Sequence, residues 1–448
     1  MGKKFNRSSH RSRNKNLGLF ELIAIALGGM VGGGIFTVLG ISVGLIGALT
    51  PIAIIIGGII AGFAAYSYIK LGVYFKDEGA TYSFYKKTFP NSPFAASLIG
   101  WYVIFGYIST MALYAYTFAS YVLSASAYSE VEWMRKIVAI GIIGLFTLIN
   151  VWSVKGMGKI EDLMVYTKLI LLFIISIMLM MNSTTPLPAL VQDVEQIHLF
   201  NVLIVASLTF VAYEGFQLVI NAVNEMEQPE KNIPRAIYTA IVLAIVIYVV
   251  ISLGAILAIP IEDIIKNKEY ALASGARDVL GNWASNLVIV GAVLATSSAI
   301  SGTVFGASRQ MSVIARDGYF PAILAKRHRS IPVSAIITMA STASLLIIIG
   351  GLELILEFGS ITFLMVSLLM AYANIAIRDK THSSLFVSMA ALLSLLAGTV
   401  FIFYYEFTHK PDEMFFILML YVVLAIAAYV FSRMNRKHIQ QQRNISNP

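Results

Sequence analysis

The sequence is dominated by apolar runs of about 20 residues, the length that an α-helix needs to cross the hydrocarbon core of a bilayer. Of its 448 residues, 58% are hydrophobic and 12% are charged, whereas soluble domains carry about 25% charged residues. Backbone polar groups inside a bilayer must be satisfied within the protein, so these runs are expected to be helices. The sequence predicts an all-α integral membrane protein with 12 transmembrane helices.

The predicted spans are separated by polar connections of varying length. They are 17–46 (broken), 50–72, 93–124, 134–153, 163–182, 200–224 (broken), 236–260, 283–313, 331–350, 354–378, 384–406 and 413–432.

Lysine and arginine concentrate in the connections on one side of these spans, whereas the opposite connection 183–199 has none. Because cytoplasmic loops carry the excess of positive residues, both the tail 1–16 and the tail 433–448 are predicted to be cytoplasmic, in a cell membrane. The net charge of +8 follows from this topology and does not require a nucleic-acid partner.

A glycine-rich stretch, Gly28–Phe36, interrupts the first apolar run. Each glycine costs about 1 kcal/mol relative to alanine in a helix, so the helix is expected to unwind there. The amides of Gly33 and Gly34 would then start a half-helix that favours an anion, and the carbonyls near Gly28 and Met30 would favour a cation. A zwitterion such as an amino acid carries both charges. The alternative is that the glycines only allow close helix packing.

The sixth run carries a second interruption, with Glu214 and Gly215 at the centre of Phe210–Gln217. The two interruptions lie one five-helix unit apart, and an odd unit reverses the direction of crossing. This spacing predicts an inverted repeat, 17–182 and 200–378, with a site at the membrane midplane between two discontinuous helices. Residues 384–432 would supply two additional helices.

Lys168 lies within the fifth run, five residues beyond Leu163. A lysine at membrane depth costs about 2.5–3.5 kcal/mol on the gentlest scale and usually faces a cavity or a partner, where it can carry a proton. The alternative is that its long stem reaches the interface. Ser297 and Ser298 lie at a similar depth in the eighth run, although serines there often bond their own backbone.

Glu214 is the other ionisable residue near the midplane, with Tyr213 before it. One hypothesis is that its carboxylate meets a positive group of the substrate, which would favour cationic amino acids or diamines. The other is that only its carbonyl faces the substrate, which would then be neutral. A gate at Tyr213 rests on composition alone.

Several chemistries are excluded. The sequence has no cysteine, which removes disulfides, thiolate metal sites and a cysteine nucleophile. Its six histidines fall in predicted tails and loops, so no metal site or cofactor is expected. The glycine-rich stretch lacks the lysine and hydroxyl residue of a phosphate loop, and no enzymatic residue set is present.

Specific motifs occur along nearly the whole chain. They are Gly29–Phe36, Tyr66–Leu71 with Glu78–Tyr82, Asn150 with Glu161 and Lys168, Phe210–Gly215, Glu227–Ala236 and Ala315–Pro321. On these residues the chain resembles the amino acid–polyamine–organocation transporter superfamily, over about residues 17 to 435. The resemblance implies the LeuT-type fold, two inverted five-helix repeats plus two helices.

The resemblance also implies roles for individual residues. The amides of Gly33 and Gly34, shaped by Gly32, would bind a substrate carboxylate. Carbonyls of Met30, Val211 and Glu214 would accept the substrate ammonium, and Tyr213 would cap the substrate from outside. Lys168 resembles the lysine of the proton-coupled permease branch, which stands where sodium binds in sodium-coupled relatives. Its implied neighbours are the Gly28 carbonyl and Ser297 or Ser298.

Four positions depart from the family pattern: Gly33 stands where many relatives have serine, Gln217 where many have an acid, Ser153 where glycine is common, and Glu214 where an apolar residue is usual. These departures bear on the substrate rather than the fold. The function expected is proton-coupled uptake of an amino acid by alternating access. An amino acid or polyamine exchanger is the alternative, and a channel or receptor is less favoured because no charged ring, repeated filter or sizeable soluble domain is apparent.

Overall fold

The computed structural model describes residues 17–152, 157–183, 199–267, 269–328 and 331–446, apart from the side chains of 157–162 and 435–446. Within these ranges helices form all the regular secondary structure, which confirms the predicted all-α class. The predicted tail 1–16, residue 153 and most of the connection 183–199 lie outside the described residues.

The helices follow one another along the chain with short connections. The first seven are α1 (Leu19–Met30), α2 (Gly33–Ile46), α3 (Thr50–Phe75), α4 (Ala80–Thr88), α5 (Pro93–Leu123), α6 (Glu132–Trp152) and α7 (Met157–Met181). The next six are α8 (Leu199–Thr209), α9 (Leu218–Asn221), α10 (Pro229–Ala258), α11 (Ile261–Lys266), α12 (Ala271–Leu280) and α13 (Asn282–Arg316). The last five are α14 (Val333–Ile349), α15 (Leu352–Ala376), α16 (Arg378–Thr381), α17 (Leu385–His409) and α18 (Pro411–Ser446).

The first predicted span is broken within its glycine-rich stretch, as expected. α1 ends at Met30 and α2 begins at Gly33, so the link consists of Val31 and Gly32. Val31 has ψ 69° and Gly32 has φ −115° and ψ −145°, both outside helical geometry. The break leaves terminal carbonyls on α1 and terminal amides on α2.

The sixth predicted span is also broken. After α8 the backbone tightens into a 3₁₀ turn, Phe210–Tyr213, and Glu214 is extended. Gly215 follows with φ +122°, a conformation that side chains with a Cβ rarely adopt. A Cβ there would lie 2.4 Å from the backbone carbon of Gly29. The two breaks are therefore in direct backbone contact.

Ten helical segments in the described part of the chain are long and apolar enough to cross a membrane. One of them, Gly33–Phe75, contains both α2 and α3 and bends at Gly47; α1 and α14 are shorter apolar helices. The chain is therefore a multi-pass membrane protein. The count of 12 spans, the inverted repeat and the position of the termini stay predictions.

The broken helices lie at the centre of the helical packing. α1 packs against α7, α10 and α13, and α2 packs against α5 and α8. α5 is almost entirely buried and also contacts α13 and α15. Within the described residues, long helices therefore surround the breaks.

The outer helices keep large apolar side chains on the surface. Examples are Leu148 and Trp152 of α6, Phe386 of α17 and Phe415 of α18. Such a surface is unusual in water but matches lipid tails.

Some features were not predicted. The short helices α4, α11 and α12 lie in segments interpreted as connections, because helices of 6 to 10 residues carry no spanning signal. α18 continues to Ser446, beyond the predicted span end at residue 432, since the polar sequence there is a good helix former.

We expect Gly215→Ala to destabilise the protein. Alanine at φ +122° and against Gly29 should cost about 2–5 kcal/mol from backbone strain and overpacking. The unfolding temperature in detergent should fall clearly.

The matched control is Gly62→Ala in α3, where no atom lies within 4 Å of an added Cβ. That variant should unfold at or above the wild-type temperature, because alanine favours the helix. Equal unfolding temperatures for the two variants would contradict the close contact of the breaks.

Candidate functional site

The last carbonyls of α1 accept hydrogen bonds from side chains of three other helices. Lys168 donates to the carbonyls of Gly28 and Val31, Tyr114 donates to that of Gly29, and Tyr248 donates to that of Met30. The Met30 carbonyl also accepts the Gly32 amide at 2.9 Å. The other three carbonyls lie where the partners within the helix run out. α5, α7 and α10 thus complete the end of α1 with polar side chains.

Lys168 is fully buried and its ammonium contacts three acceptors. Nζ donates to the Val31 carbonyl at 2.6 Å, to Ser298 Oγ at 2.8 Å and to the Gly28 carbonyl at 3.4 Å. The Ser298 hydroxyl donates to the Ala295 carbonyl at 3.0 Å, so its oxygen accepts the bond from the lysine. Three acceptors match the three N–H groups of the charged amine.

The alternative that Lys168 reaches the interface is therefore wrong, since its side chain is 0% exposed. The structure brings together three of the predicted group, Lys168, Gly28 and Ser298. Ser297 is buried one position earlier on α13. A role of these residues in proton coupling stays a prediction.

Tyr248 of α10 links the two breaks. Its hydroxyl oxygen lies 2.7 Å from the Met30 carbonyl and 2.8 Å from the Ala212 carbonyl. A phenol has one proton to donate, so it satisfies one of these carbonyls fully at a time. The Met30 carbonyl also accepts the Gly32 amide at 2.9 Å, so it keeps one hydrogen bond when the phenol bonds to Ala212.

The start of α2 presents backbone amides without a competing side chain. Gly32 precedes α2 and no side chain caps it. Gly32 is close to Tyr114, and a Cβ on Gly33 would lie 2.7 Å from Thr117 Oγ1. A serine at Gly33 would therefore collide with Thr117, which gives a physical reason for this departure from the family pattern. The first amides of a helix favour an anion.

The remaining predicted residues, Val211, Tyr213 and Glu214, lie in the second break. The Val211 carbonyl accepts the Glu214 amide at 3.2 Å. The Tyr213 hydroxyl donates to the Ile54 carbonyl at 2.8 Å, and its ring lies 5.3 Å from the ring of Tyr248. These residues and the glycines of the first break meet in one region, but no substrate contact is established for any of them.

The Glu214 side chain points away from Tyr213. Tyr213 bonds to Ile54 in the first turns of α3, whereas the Glu214 carboxyl is an electrostatic neighbour of Tyr68 on the same helix. Ile54 and Tyr68 are 14 residues apart, about 21 Å along a helix. Gln217 Nε2 bonds to Glu214 Oε2. The carboxyl therefore extends toward the side where α1 begins.

The breaks are closed to solvent. All residues from Ala26 to Gly40 and from Ile204 to Ile220 are buried. A cavity of about 430 Å³ lies on the side where α1 begins, lined by Lys76–Glu78, Ser83, Lys86, Lys87, Asn224, Val313, Arg316 and Asp317; we name it the N-side vestibule. A cavity of about 600 Å³ near the end of α2, lined by Thr37, Ile41, Arg135, Glu269 and Glu353 among others, is the far-side vestibule.

Charged pairs line both vestibules. At the N-side vestibule Lys86 Nζ lies 2.8 Å from Asp317 Oδ2, and Lys87 pairs with Asp77. Burial opposes the charge of Asp77, but bonds from Lys87 and the Gly79 amide outweigh it and lower the pKa of that carboxyl. At the far-side vestibule Arg135 pairs with Glu269. These pairs join separate helices and connections beside each cavity.

Sequence reasoning missed Tyr248, Tyr114 and Val31. Tyr248 is a lone aromatic with a hydroxyl in an apolar stretch of α10, which is a weak signal for a buried bond. Tyr114 is one of several tyrosines in α5, and nothing in the sequence distinguishes it from the others. Val31 acts through its carbonyl, which no side chain reveals.

Comparison with known proteins identifies the family of the chain. Residues 17–440 match the sequence profile of the amino acid permease family. The chain is 28% identical to the inner membrane transport protein YbaT of Escherichia coli over 426 residues, which cover 94% of this chain and 97% of that protein. It is 23% identical to the branched-chain amino acid permease BcaP of Bacillus subtilis over 391 residues, 83% of each chain.

A vertebrate relative is similar over a comparable length. The large neutral amino acids transporter small subunit 2 of Homo sapiens is 27% identical over 409 residues, 88% of this chain and 75% of that protein. The resemblance to amino acid–polyamine–organocation transporters is thereby confirmed, and the family consists of transporters and not of enzymes. With a match of this extent, the chain belongs to the amino acid permease family.

Proposed function

We propose that this protein is a secondary active transporter that takes up amino acids together with protons, by alternating access across the cell membrane, with both termini in the cytoplasm. The observation that carries the proposal is the buried Lys168 ammonium on the terminal carbonyls of α1. A charge at this depth is energetically costly, and charged residues inside a membrane usually mark a functional site.

The substrate would lie between the two breaks. Its carboxylate would bind the amides of Gly33 and Gly34, at the positive end of α2, with Gly32 allowing close approach. Its ammonium would bind the Met30 carbonyl at the end of α1 and the carbonyls of Val211 and Glu214 at the second break. Tyr213 would cover it from the far side.

The Met30 carbonyl has a particular place in this scheme, because it shares the Tyr248 hydroxyl with Ala212. A substrate ammonium would satisfy the carbonyl that the phenol leaves. Substrate binding would therefore change which carbonyl the Tyr248 hydroxyl bonds.

Coupling would act through the end of α1. With the proton bound, Lys168 holds both the Gly28 and Val31 carbonyls and Ser298. Loss of the proton removes one N–H donor and the positive charge, so the end of α1 is released from α7 and α13. An ammonium in this position also occupies the place that a sodium ion would need.

The substrates would be neutral amino acids. The Glu214 carboxyl extends away from the Tyr213 side, toward Tyr68, so its backbone and not its charge would face the substrate. The amino acids or amines that compete for uptake would test this class directly.

The first prediction concerns the coupling ion. In proteoliposomes, uptake of the best substrate should follow an imposed pH gradient and should not change when sodium replaces potassium, because the Lys168 ammonium fills the cation position. Uptake that needs sodium and continues after the pH gradient has collapsed would refute proton coupling.

The second prediction concerns Lys168→Ala. Without the titrating amine, accumulation driven by the pH gradient should be lost, while substrate exchange at equal pH should persist. Lys136→Ala is the control, since that lysine is partly exposed and bonds Glu132 and the Ile348 carbonyl rather than either break. Wild-type accumulation by Lys168→Ala would show that the amine is structural.

The third prediction concerns substrate class. Competition by leucine, alanine, lysine and putrescine should give the same ranking for wild type and Glu214→Gln, with the neutral amino acids binding better. A selective loss of lysine or putrescine binding in Glu214→Gln would instead make the carboxylate a substrate ligand.

A further inference from the structure

A series of buried polar side chains runs from Glu214 toward the N-side vestibule. Four of its members have side-chain atoms without a hydrogen bond to any described residue: Glu214 Oε1, both polar atoms of Asn221, Gln310 Oε1 and Thr81 Oγ1. Buried polar atoms are nearly always bonded. Atoms without partners also occur elsewhere among the described residues, but these four residues lie between the second break and the N-side vestibule.

These residues follow one another in space. Gln217 bonds to Glu214, and Asn221 lies four residues further on, one turn away along α9. Asn221 Nδ2 would lie 3.2 Å from a Cβ on Gly306 of α13, and Gln310 is one turn beyond Gly306 on the same face. Contacts therefore connect the break with α13.

The series continues to the vestibule. Gln310 Nε2 donates to the Gly79 carbonyl at 3.2 Å, and Thr81 lies two residues beyond Gly79. The Gly79 amide donates to Asp77 Oδ1 at 2.8 Å, and Asp77 lines the N-side vestibule. The members Glu214, Gln217, Asn221, Gln310 and Thr81 are called the Glu214 path.

Water is the ligand that these groups fit. Side-chain amides, a hydroxyl and a carboxyl supply both donors and acceptors, and buried waters are typically held by two to four such groups. Small apolar molecules would leave the same atoms without partners. Waters bound to these groups would lead from Glu214 toward the N-side vestibule.

The Glu214 carboxyl has no cationic neighbour among the described residues. The groups that face it are Gln217 of the turn before α9, Tyr68 of α3, and Tyr107 and Tyr114 of α5. None of these carries a positive charge. A neutral, protonated carboxyl is the form that such surroundings favour.

We propose that Glu214 is a proton-carrying residue and that the Glu214 path holds a chain of water molecules that conducts its proton to the N-side vestibule. The carboxyl O–H bond breaks, its electron pair stays on the carboxylate, and the proton joins the first water while the last water gives one up to the vestibule. The carboxylate regains a proton from the far side when the breaks open there. This inference rests on the proposed proton-coupled function.

The transport test compares two variants in proteoliposomes with an imposed pH gradient. Glu214→Gln cannot release a proton, and Asn221→Leu interrupts the path while keeping the carboxyl. Net uptake by each should fall by about 100-fold, the lower end of the range for removing a positioned proton-transfer group. Substrate exchange at equal pH should be retained. Asn182→Leu, at the exposed end of α7, is the control and should resemble wild type.

Two results would overturn the proposal. Net uptake at the wild-type rate in Glu214→Gln would show that no proton passes through the carboxyl. Loss of exchange as large as the loss of net uptake would make the residue part of substrate binding instead.

A second test measures the water directly and needs no transport. Radiolytic hydroxyl labelling modifies buried side chains beside bound water, so Tyr68 and Phe216, 1% and 0% exposed, should be labelled more than Phe36, which is also 1% exposed. Asn221→Leu should reduce that labelling. Equal labelling of all three would refute the path. If wild type itself shows no uptake driven by a pH gradient, the proposed function fails, and the labelling result still decides the water path.

Discussion

A helix that stops inside a membrane leaves carbonyls that neither lipid nor its own next turn can satisfy, and the structure of this permease is organised around that constraint. The carbonyls from Gly28 to Val31 receive bonds from Lys168, Tyr114 and Tyr248. Each unsatisfied group would cost about 1–3 kcal/mol. Three helices are thereby held at fixed distances from the end of α1, and the region between the breaks is closed.

The same bonds make the closed arrangement depend on protonation and on which carbonyl Tyr248 bonds. Lys168 contributes a charge whose presence depends on a proton, and Tyr248 contributes one proton to two carbonyls. Lys168 loses a donor when its proton leaves, and Tyr248 can donate to only one of its two carbonyls at a time. A site that binds an ammonium and exchanges a proton therefore changes the hydrogen bonds that keep the two broken helices together, so binding and movement are coupled by the same few groups.

Much of this arrangement could be predicted from the sequence. The density of glycine in Gly28–Phe36 predicts the break, and a lysine at membrane depth predicts a bonded partner, which the structure provides in Gly28 and Ser298. Partners that act through a backbone carbonyl, such as Val31, or that are one of many tyrosines, such as Tyr114, leave no distinctive pattern. The direction of the Glu214 side chain depends on the extended backbone of Glu214 itself, which the sequence does not reveal.

The central claim is that the Lys168 proton holds the end of α1 in place. Because the chain contains no cysteine, spin labels can be placed at two exposed positions, Phe20→Cys in α1 and Phe94→Cys in α5. The pair can report the distance between these helices as pH rises. In a wild-type background the distance distribution should shift toward a second, longer population as the proton is lost. With Lys168→Ala added, that population should be present at every pH. A pH-dependent shift that is the same with and without Lys168 would contradict the account.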